Sequence, residues 1–377
     1  MLSEMARRTS FIGDFPLMDR RSIIKHAGMA GVLATSAAPA VHAQPVVRWR
    51  LVSSFPKLLD TIYGAGEVFA QAVRTMSGGR FEVQVHAGGE LLPAFGVLDA
   101  VQSGTTEVAH TAPYYFYAKH PAFALGSAIP FGFNARQMSA WMLHGNGRKL
   151  MNEFYAGYNI VSFAGGNTGT QMGGWYLKEL RSLADFKGLR MRLGGGLAGE
   201  VMSRFGVVPV DLPGGDTYQA LQNGVIDAAE WIGPHDDQKL NLHKAASHYY
   251  YPGWWEGGPE MDFYIHRKAF DALSADHKAI VQGAAAIAHT DMLAKYDARN
   301  PAALKQLVAA KTRVLPFPQA VMDAAFRASM EVFAHNDARS PEWKKIYADM
   351  RDFQRDQILW FRFAEARYDS FMSTQKV

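Results

Sequence analysis

QALQNGVIDAAEWIG, residues 219–233, sets one carboxylate, Glu230, in a run of small and apolar residues directly before a tryptophan. A related segment, DAVQSGTTEVAHTAP, stands upstream at residues 99–113. The two share Ala100/Ala220, Gln102/Gln222, Gly104/Gly224 and Ala109/Ala229, with Val/Leu, Ser/Asn and Glu/Asp exchanges between them. The common pattern is a helix closed by a glycine able to take positive φ, then a short strand of small apolar residues. Such a unit also recurs by chance; read as an internal repeat, it predicts two lobes built alike. Ligands of open α/β sheets sit beyond the carboxyl ends of the strands. Glu230, leaving the second strand, therefore faces the crevice, and the first copy offers His110 followed by Tyr114 and Tyr115. A buried carboxylate without a partner becomes protonated or finds a cation. For Glu230 an ion pair with a nearby lysine or arginine and a place on a ligand both stand at this point.

The rest of the chain extends the pattern. VVRWRLVSSF (46–55) reads as a strand, TIYGAGEVFAQAVRTMSGG (61–79) as a helix ended by Gly78 and Gly79, and RFEVQVHAGG (80–89) as an alternating strand. Strand and helix alternate, which predicts an α/β fold with a mostly parallel sheet and covering helices. A second lobe begins near AGGNTGTQMGGWYLK (164–178), a glycine-rich stretch with Asn167 and Gln171, and continues through FKGLRMRLGGG, whose Arg190 and Arg192 share one side of the pleat. HYYYPGWWEGGPEMDFYIHRKAF (248–270) holds an isolated acid, Glu256, and carries the chain back to the first lobe. The division is 1–43 export signal, 44–165 first lobe, 166–257 second lobe, and 258–377 return, long connecting helix and C-terminal helix. That last helix has Ser340 as N-cap and Pro341 at its first position. At ILWFRF (358–363) its apolar side chains run right round, a pattern suited to contact on two sides, with a second subunit as one such contact.

At 377 residues and 48% hydrophobic composition, the chain exceeds the size at which one core usually divides. The segment DRRSIIK (19–25), the apolar run HAGMAGVLATSAAPA and the small-residue site ending at Ala43 read as an export signal of twin-arginine type, with Met18 as an alternative start. The apolar run is short for a spanning helix. Of 39 Lys/Arg and 35 Asp/Glu, five and three fall within residues 1–43, so the mature chain carries a net charge near +2. That balance gives no footing for nucleic-acid binding. The absence of cysteine excludes disulfides, thiolate metal sites and cysteine nucleophiles.

The strongest signal for an enzyme is GGGLAG (194–199), which satisfies the dinucleotide GxGxxG pattern after a strand-like LRMRL. The acid expected about 20 residues on is matched only loosely by Asp211 and Asp216, and a glycine-rich strand-to-helix turn occurs in any α/β lobe. An exported NAD(P)-dependent oxidoreductase is the alternative this motif supports. No HExxH, GxSxG, Walker A or EF-hand pattern is present, the thirteen histidines form no metal-ligand spacing, and Asp236-Asp237 reads as a solvated helix start. What remains is a binding set: Asn167, Gln171, Arg192, Glu230 and Glu256 among aromatics. An arginine fork suits a small carboxylate, and two glutamates with an amide oxygen suit a hard cation. Arg192 alone fits a structural ion pair equally well.

These residues resemble the solute-binding proteins of tripartite ATP-independent periplasmic (TRAP) transporters, within them the 2-oxoacid-binding group. The resemblance runs through SSFPKLLDTIYGAGE, AGGELLPAFGVLDAVQSGTTEVAHTAPYYFYAKHPAF, PFGFNARQMSAWMLHG, NTGTQMGGWYLKE, LQNGVIDAAEWIGP and YPGWWEGGPEMDFYI, in order over the whole mature chain. It implies a two-lobe periplasmic binding-protein fold with the ligand cleft between the lobes, linked by crossing segments and long C-terminal helices. It further implies that Arg192 pairs with the ligand carboxylate and that Gln171 lies at ligand and cation. Glu230, Glu256 and the main-chain oxygen of Trp231 are implied cation ligands, and Asn167, Tyr114 and Tyr115 line the ligand. The expected function is a periplasmic, non-enzymatic receptor for pyruvate, a longer 2-oxoacid or lactate. The expected cofactor is Na⁺ or Ca²⁺, and the expected partners are TRAP membrane subunits and, through the C-terminal helices, a homodimer.

Overall fold

A computed structural model describes residues 46–376 apart from residue 195. The predicted export segment, residues 1–43, lies outside the described residues, which belong to one compact unit.

Eleven strands among the described residues form two mixed sheets. They are β1 (Val47–Ser53), β2 (Phe81–His86), β3 (Val108–Thr111), β4 (Ile160–Asn167), β5 (Trp175–Tyr176), β6 (Arg190–Arg192), β7 (Val208–Val210), β8 (Ala228–Ala229), β9 (His248–Tyr251), β10 (Glu260–His266) and β11 (Arg313–Pro316). The first sheet has the order β2-β1-β3-β10-β4 and the second β11-β9-β5-β8-β6-β7. The repeat seen in the sequence is also a repeat of topology. β3 pairs parallel with β1 and antiparallel with β10, and β8 pairs parallel with β6 and antiparallel with β5.

The helices preceding these two strands, Val97–Gln102 and Thr217–Gln222, end in the same way. Gly104 and Gly224 take φ of +76° and +67°. Thr106 and Ile226 each return an N–H to the carbonyl of the shared alanine, Ala100 and Ala220, at 3.2 Å. Positive φ at that point turns the chain from helix into strand without a Cβ clash.

The sheets are less parallel than predicted, because β10 and β5 run against their neighbours. Both are crossing segments, and a chain that returns between lobes enters the sheet from the far end. The segment after residue 258 does not serve the first sheet alone: β11 pairs with β9 at the edge of the second. Between β10 and β11 lies the helix Ala275–Ala309, 35 residues and about 52 Å long at 1.5 Å per residue. Ser274 caps it by accepting the His277 N–H at 3.2 Å. Its buried stripe of Ala284, Ala285, Ala288, Met292 and Tyr296 packs on β4 and on the segment after β8.

Asp236 and Asp237 correct the reading as a solvated helix start, since both are fully buried. Tyr296 Oη donates to Asp236 at 2.7 Å, tying the long helix to the second sheet. Asp237 accepts from Trp175 Nε1, Tyr249 Oη and the N–H groups of Ile232 and Gly233. In one dimension the pair looks polar and exposed, and only packing shows the hydroxyls and indole gathered round it.

Burial raises Asp236 from 3.8 to about 7 and Asp237 to about 6. Between those values and pH 4 the unfolded chain loses the proton that the folded chain keeps, so stability falls as pH rises. Asp236 alone is expected to cost about 2–3 kcal/mol between pH 5 and pH 8. Urea denaturation at the two pH values checks this: Asp236→Asn should flatten the decline, and an unchanged slope contradicts it.

The C-terminal helix Pro341–Phe363 is capped as predicted, with Ser340 Oγ accepting from Trp343 N at 3.0 Å. Ile346 and Met350 are buried, whereas Leu359, Trp360, Phe363 and Phe371 are exposed. One flank of ILWFRF does pack inward, where Arg136 lies 5.2 Å from the Phe361 ring centre. The chain breaks at Ala364 before a short helix, Glu365–Met372.

Candidate ligand and cation site

The two strand ends created by the repeat meet side chains from four other segments. β6 lies between β7 and β8, with Arg192 paired to Ala229 and to Val210. Its two arginines have separate fates, although the pleat sends both the same way. Arg190, at the sheet margin, forms a two-point pair with Asp227 at 2.9 and 2.8 Å. Arg192 is 1% exposed.

Arg192 Nε donates to the Leu212 carbonyl at 3.0 Å. Its Nη1 donates to the Glu230 main-chain oxygen at 2.9 Å and to Glu230 Oε1 at 2.5 Å. The guanidinium lies 4.8 Å from the Trp231 ring centre, a cation–π contact that Gly214 permits by packing on the indole face. Among the described residues Nη2 makes no hydrogen bond.

Glu230 therefore forms the ion pair that the residue pattern left open, and the pair is only half of its chemistry. Oε1 accepts from Arg192 and from the Gly194 N–H, while Oε2 is buried without a partner. The Gly194 donor was not foreseen. An added Cβ at Gly194 would lie 3.1 Å from Glu230 Oε1 and 3.3 Å from Tyr114 Oη, so glycine lets the two lobes approach here. At Gly196 a Cβ would press on the Tyr117 ring at 2.7 Å, and at Gly199 on Pro209 at 3.1 Å. These glycines of GGGLAG serve close packing; Gly195 lies outside the described residues.

Glu256, 3% exposed, follows Trp255 in the loop entering β10, and its Oε2 has no partner. The Gln171 N–H donates to the Glu256 carbonyl at 3.1 Å, and Gly253 N–H donates to the Gln171 carbonyl at 2.8 Å. Gln171 Nε2 donates to Thr168 Oγ1 at 3.2 Å, which leaves its buried Oε1 unpaired. Asn167 plays a different part: Oδ1 accepts from Gly169 N–H and Nδ2 donates to the Gly258 carbonyl, both at 2.9 Å. It clamps the two loops on which Gln171 and Glu256 ride.

Tyr114 and Tyr115 stand on the turn Pro113–Phe116 after β3, their rings edge-on at 5.1 Å. Burial raises both phenols, and the charges of Glu256 and Glu230 add to it for Tyr114, so both remain neutral donors. His110 does not join them. It lies inside β3 against Phe55 and Phe263, at 5.3 and 4.8 Å, and burial lowers it to about 3. This histidine is a neutral member of the core, because β3 continues one residue past it and turns its ring into the layer.

Among the described residues three buried oxygens thus lack hydrogen-bond partners, Gln171 Oε1, Glu230 Oε2 and Glu256 Oε2, beside one unpaired guanidinium nitrogen. Burial raises both glutamates, and Glu230 raises Glu256 further. Hard oxygen donors with uncompensated negative charge fit a cation such as Na⁺ or Ca²⁺, and the free Nη2 fits an anion beside it. Among the described residues no cluster of three or more His, Cys, Asp or Glu is placed to hold a metal, so neutral oxygens would have to complete any cation shell. Two further contacts join the halves: Tyr117 Oη donates to Glu200 at 2.5 Å, and Lys239 Nζ to Asp60 at 2.5 Å.

A family model described as bacterial extracellular solute-binding protein, family 7, matches residues 52–339. A Nostoc protein named as a monocarboxylate 2-oxoacid-binding periplasmic protein is 42% identical over 366 residues, covering 95% of this chain and all of that protein. A TRAP transporter solute-binding protein from Bordetella bronchiseptica, 44% identical, superposes with a TM-score of 0.86 over 87% of this chain and 97% of its own. It is described as a mixed-occupancy dimer with copurified calcium and picolinate. A TRAP periplasmic solute-binding protein from Pseudoalteromonas atlantica, with bound sodium and pyruvate, is 36% identical with a TM-score of 0.83, over 88% of this chain and all of that one.

Proposed function

The chain belongs to family 7 of the bacterial extracellular solute-binding proteins, the receptors of TRAP transporters, and from that membership we propose that it captures a small 2-oxoacid together with a metal cation. Membership in a family of receptors, with the contacts that fill the glycine-rich turn, leaves the oxidoreductase alternative without support.

The observation that carries the reading is the set of unpaired buried groups: one guanidinium nitrogen for a carboxylate, and three oxygens for a cation. In this proposal Arg192 Nη2 holds the ligand carboxylate while Nη1 stays on Glu230. Glu230, Glu256, Gln171 and the main-chain oxygen of Trp231 hold Na⁺ or Ca²⁺, whose role is to neutralise the two acids and draw the ligand oxygens to them. Tyr114 and Tyr115 donate toward the ligand, and Asn167 supports the loops. The relatives' pyruvate and picolinate share one feature, a carboxylate with a donor atom next to it, which can approach arginine and cation at once.

Ligand that binds the closed form better shifts the lobes toward closure, and the closed form is what a membrane permease would receive. Export to the periplasm, with cleavage near Ala43, belongs to this proposal, as does a homodimer covering Trp360, Phe363 and Phe371. Its supports are the exposure of those side chains and the description of the Bordetella relative as a dimer.

Thermal unfolding tests the core of the reading. Pyruvate at one hundred times its Kd should stabilise the protein by about 2.7 kcal/mol in the presence of calcium or sodium. After chelation and exchange into a buffer of bulky organic cations, the stabilisation should vanish. An equal shift in both buffers counts against the cation, and no shift in either counts against the 2-oxoacid.

A further inference from the structure

Apart from the site above, the first sheet holds a second pair of buried acids. Glu260 opens β10 and Asp262 follows two residues later, on the same face of the pleat, and both line one cavity. The cavity measures about 130 Å³ and lies beneath the helices Ala135–His144, Gly147–Tyr155 and Ala275–Ala309. It shares no lining residue with the ligand and cation site.

Glu260 is 1% exposed, and neither of its carboxylate oxygens has a hydrogen-bond partner among the described residues. Asp262 accepts from Ser162 Oγ at 2.7 Å. Among the described residues no cationic side chain pairs with either acid. Arg148 lines the cavity, but its guanidinium stacks on Phe163 at 4.9 Å. His289 turns Nε2 to Ser139 and leaves Nδ1 unpaired, and burial holds it below the usual histidine range, so it brings no charge. The rest of the lining is mixed: Leu143, Met151, Phe163 and Ala285 form an apolar side, and Asn152, Tyr155, Gln282 and Thr290 add polar groups.

Two adjacent carboxylates without a counter-charge are costly to bury, and their environment says which cation would relieve them. A metal ion held by some six oxygens would leave the apolar side of the cavity unused. An ammonium group needs only acceptors for its N–H donors, and an alkyl chain uses the apolar wall. The volume approaches the roughly 150 Å³ that holds benzene in an engineered cavity. We propose that this cavity is a second binding site, for a small alkylammonium ion whose N–H groups meet Glu260 and Asp262 and whose chain lies against Leu143, Met151 and Phe163.

Titration calorimetry with n-butylammonium chloride tests the proposal, on the full protein saturated with calcium and pyruvate. One saturable site per chain is expected, with no saturable heat from sodium chloride. Glu260→Gln should weaken butylammonium at least tenfold. Ala286→Trp, at the exposed rim of the cavity, should abolish its binding while both acids stay in place. Pyruvate affinity should change less than twofold in each variant, which separates this site from the cleft. No saturable heat, an equal response to sodium, or unchanged butylammonium affinity in Ala286→Trp would overturn the proposal. The rim variant decides the matter if Glu260→Gln does not fold.

Discussion

Arg192→Ala is expected to weaken pyruvate binding at least a hundredfold and, in the same protein, to lower thermal stability by several degrees. The first effect follows from the free Nη2, the one cationic donor left over at the site. Leaving a ligand carboxylate in a buried cleft without its charge-assisted partner costs about 2–5 kcal/mol, enough for the roughly 2.7 kcal/mol that a hundredfold represents. The second follows from Glu230, whose Oε1 rests on Arg192 at 2.5 Å with both residues 1% exposed. Deleting one member of a buried ion pair costs about 3–5 kcal/mol, because the other charge stays buried alone.

An arginine that met only ligand would give weaker binding on a fully stable fold. The pairing with Glu230 predicts that both properties suffer, and it predicts that Arg192→Ala with Glu230→Gln restores stability without restoring binding. Titration calorimetry with pyruvate and calcium, beside chemical denaturation of the single and double variants, reads the two effects separately. Near-normal affinity in Arg192→Ala would end its assignment to the carboxylate.

Glu256→Gln should act with the opposite sign on stability. An amide keeps the shape of the side chain and replaces a buried acid whose ionisation burial and Glu230 already oppose, so the cation-free protein should be as stable as the parent or more so. Calcium-dependent pyruvate binding should fall at least tenfold, since one of only two acids at the proposed cation position is gone. The decisive measurement is pyruvate affinity across a calcium titration. A parallel curve at unchanged calcium midpoint would remove Glu256 from the cation site.

Much of this site was legible in the chain, and the reason is local. Gly104 and Gly224 mark positive φ after short helices, a constraint that any α-helix entering a strand in this way imposes whatever surrounds it. Ser274 and Ser340 cap their helices because a side-chain oxygen there satisfies N–H groups that no other part of the helix can reach. Isolated acids amid apolar residues, Glu230 and Glu256, signal themselves because burying such a charge demands a compensating partner. Asn167, expected beside the ligand, holds the two loops at 2.9 Å on both sides. No spacing rule distinguishes an amide that meets a ligand from one that clamps the residues that do.

The order of residues alone pointed to a pair of like-built halves, to the turns that close their helices and to the unusual charges. These are matters of near neighbours, settled within a few residues by backbone sterics and hydrogen bonding. Where each charge is spent depends on packing in three dimensions. Arg190 meets Asp227 at the surface, whereas Arg192, two residues on, meets Glu230 in the interior. Asp236 and Asp237 are enclosed by Tyr296, Tyr249 and Trp175, and His110 is sealed between two phenylalanines. Partner and burial are set by segments tens to hundreds of residues apart. The charge state of a side chain, and with it the chemistry available at the site, depends on that solvent exclusion rather than on its neighbours in the chain.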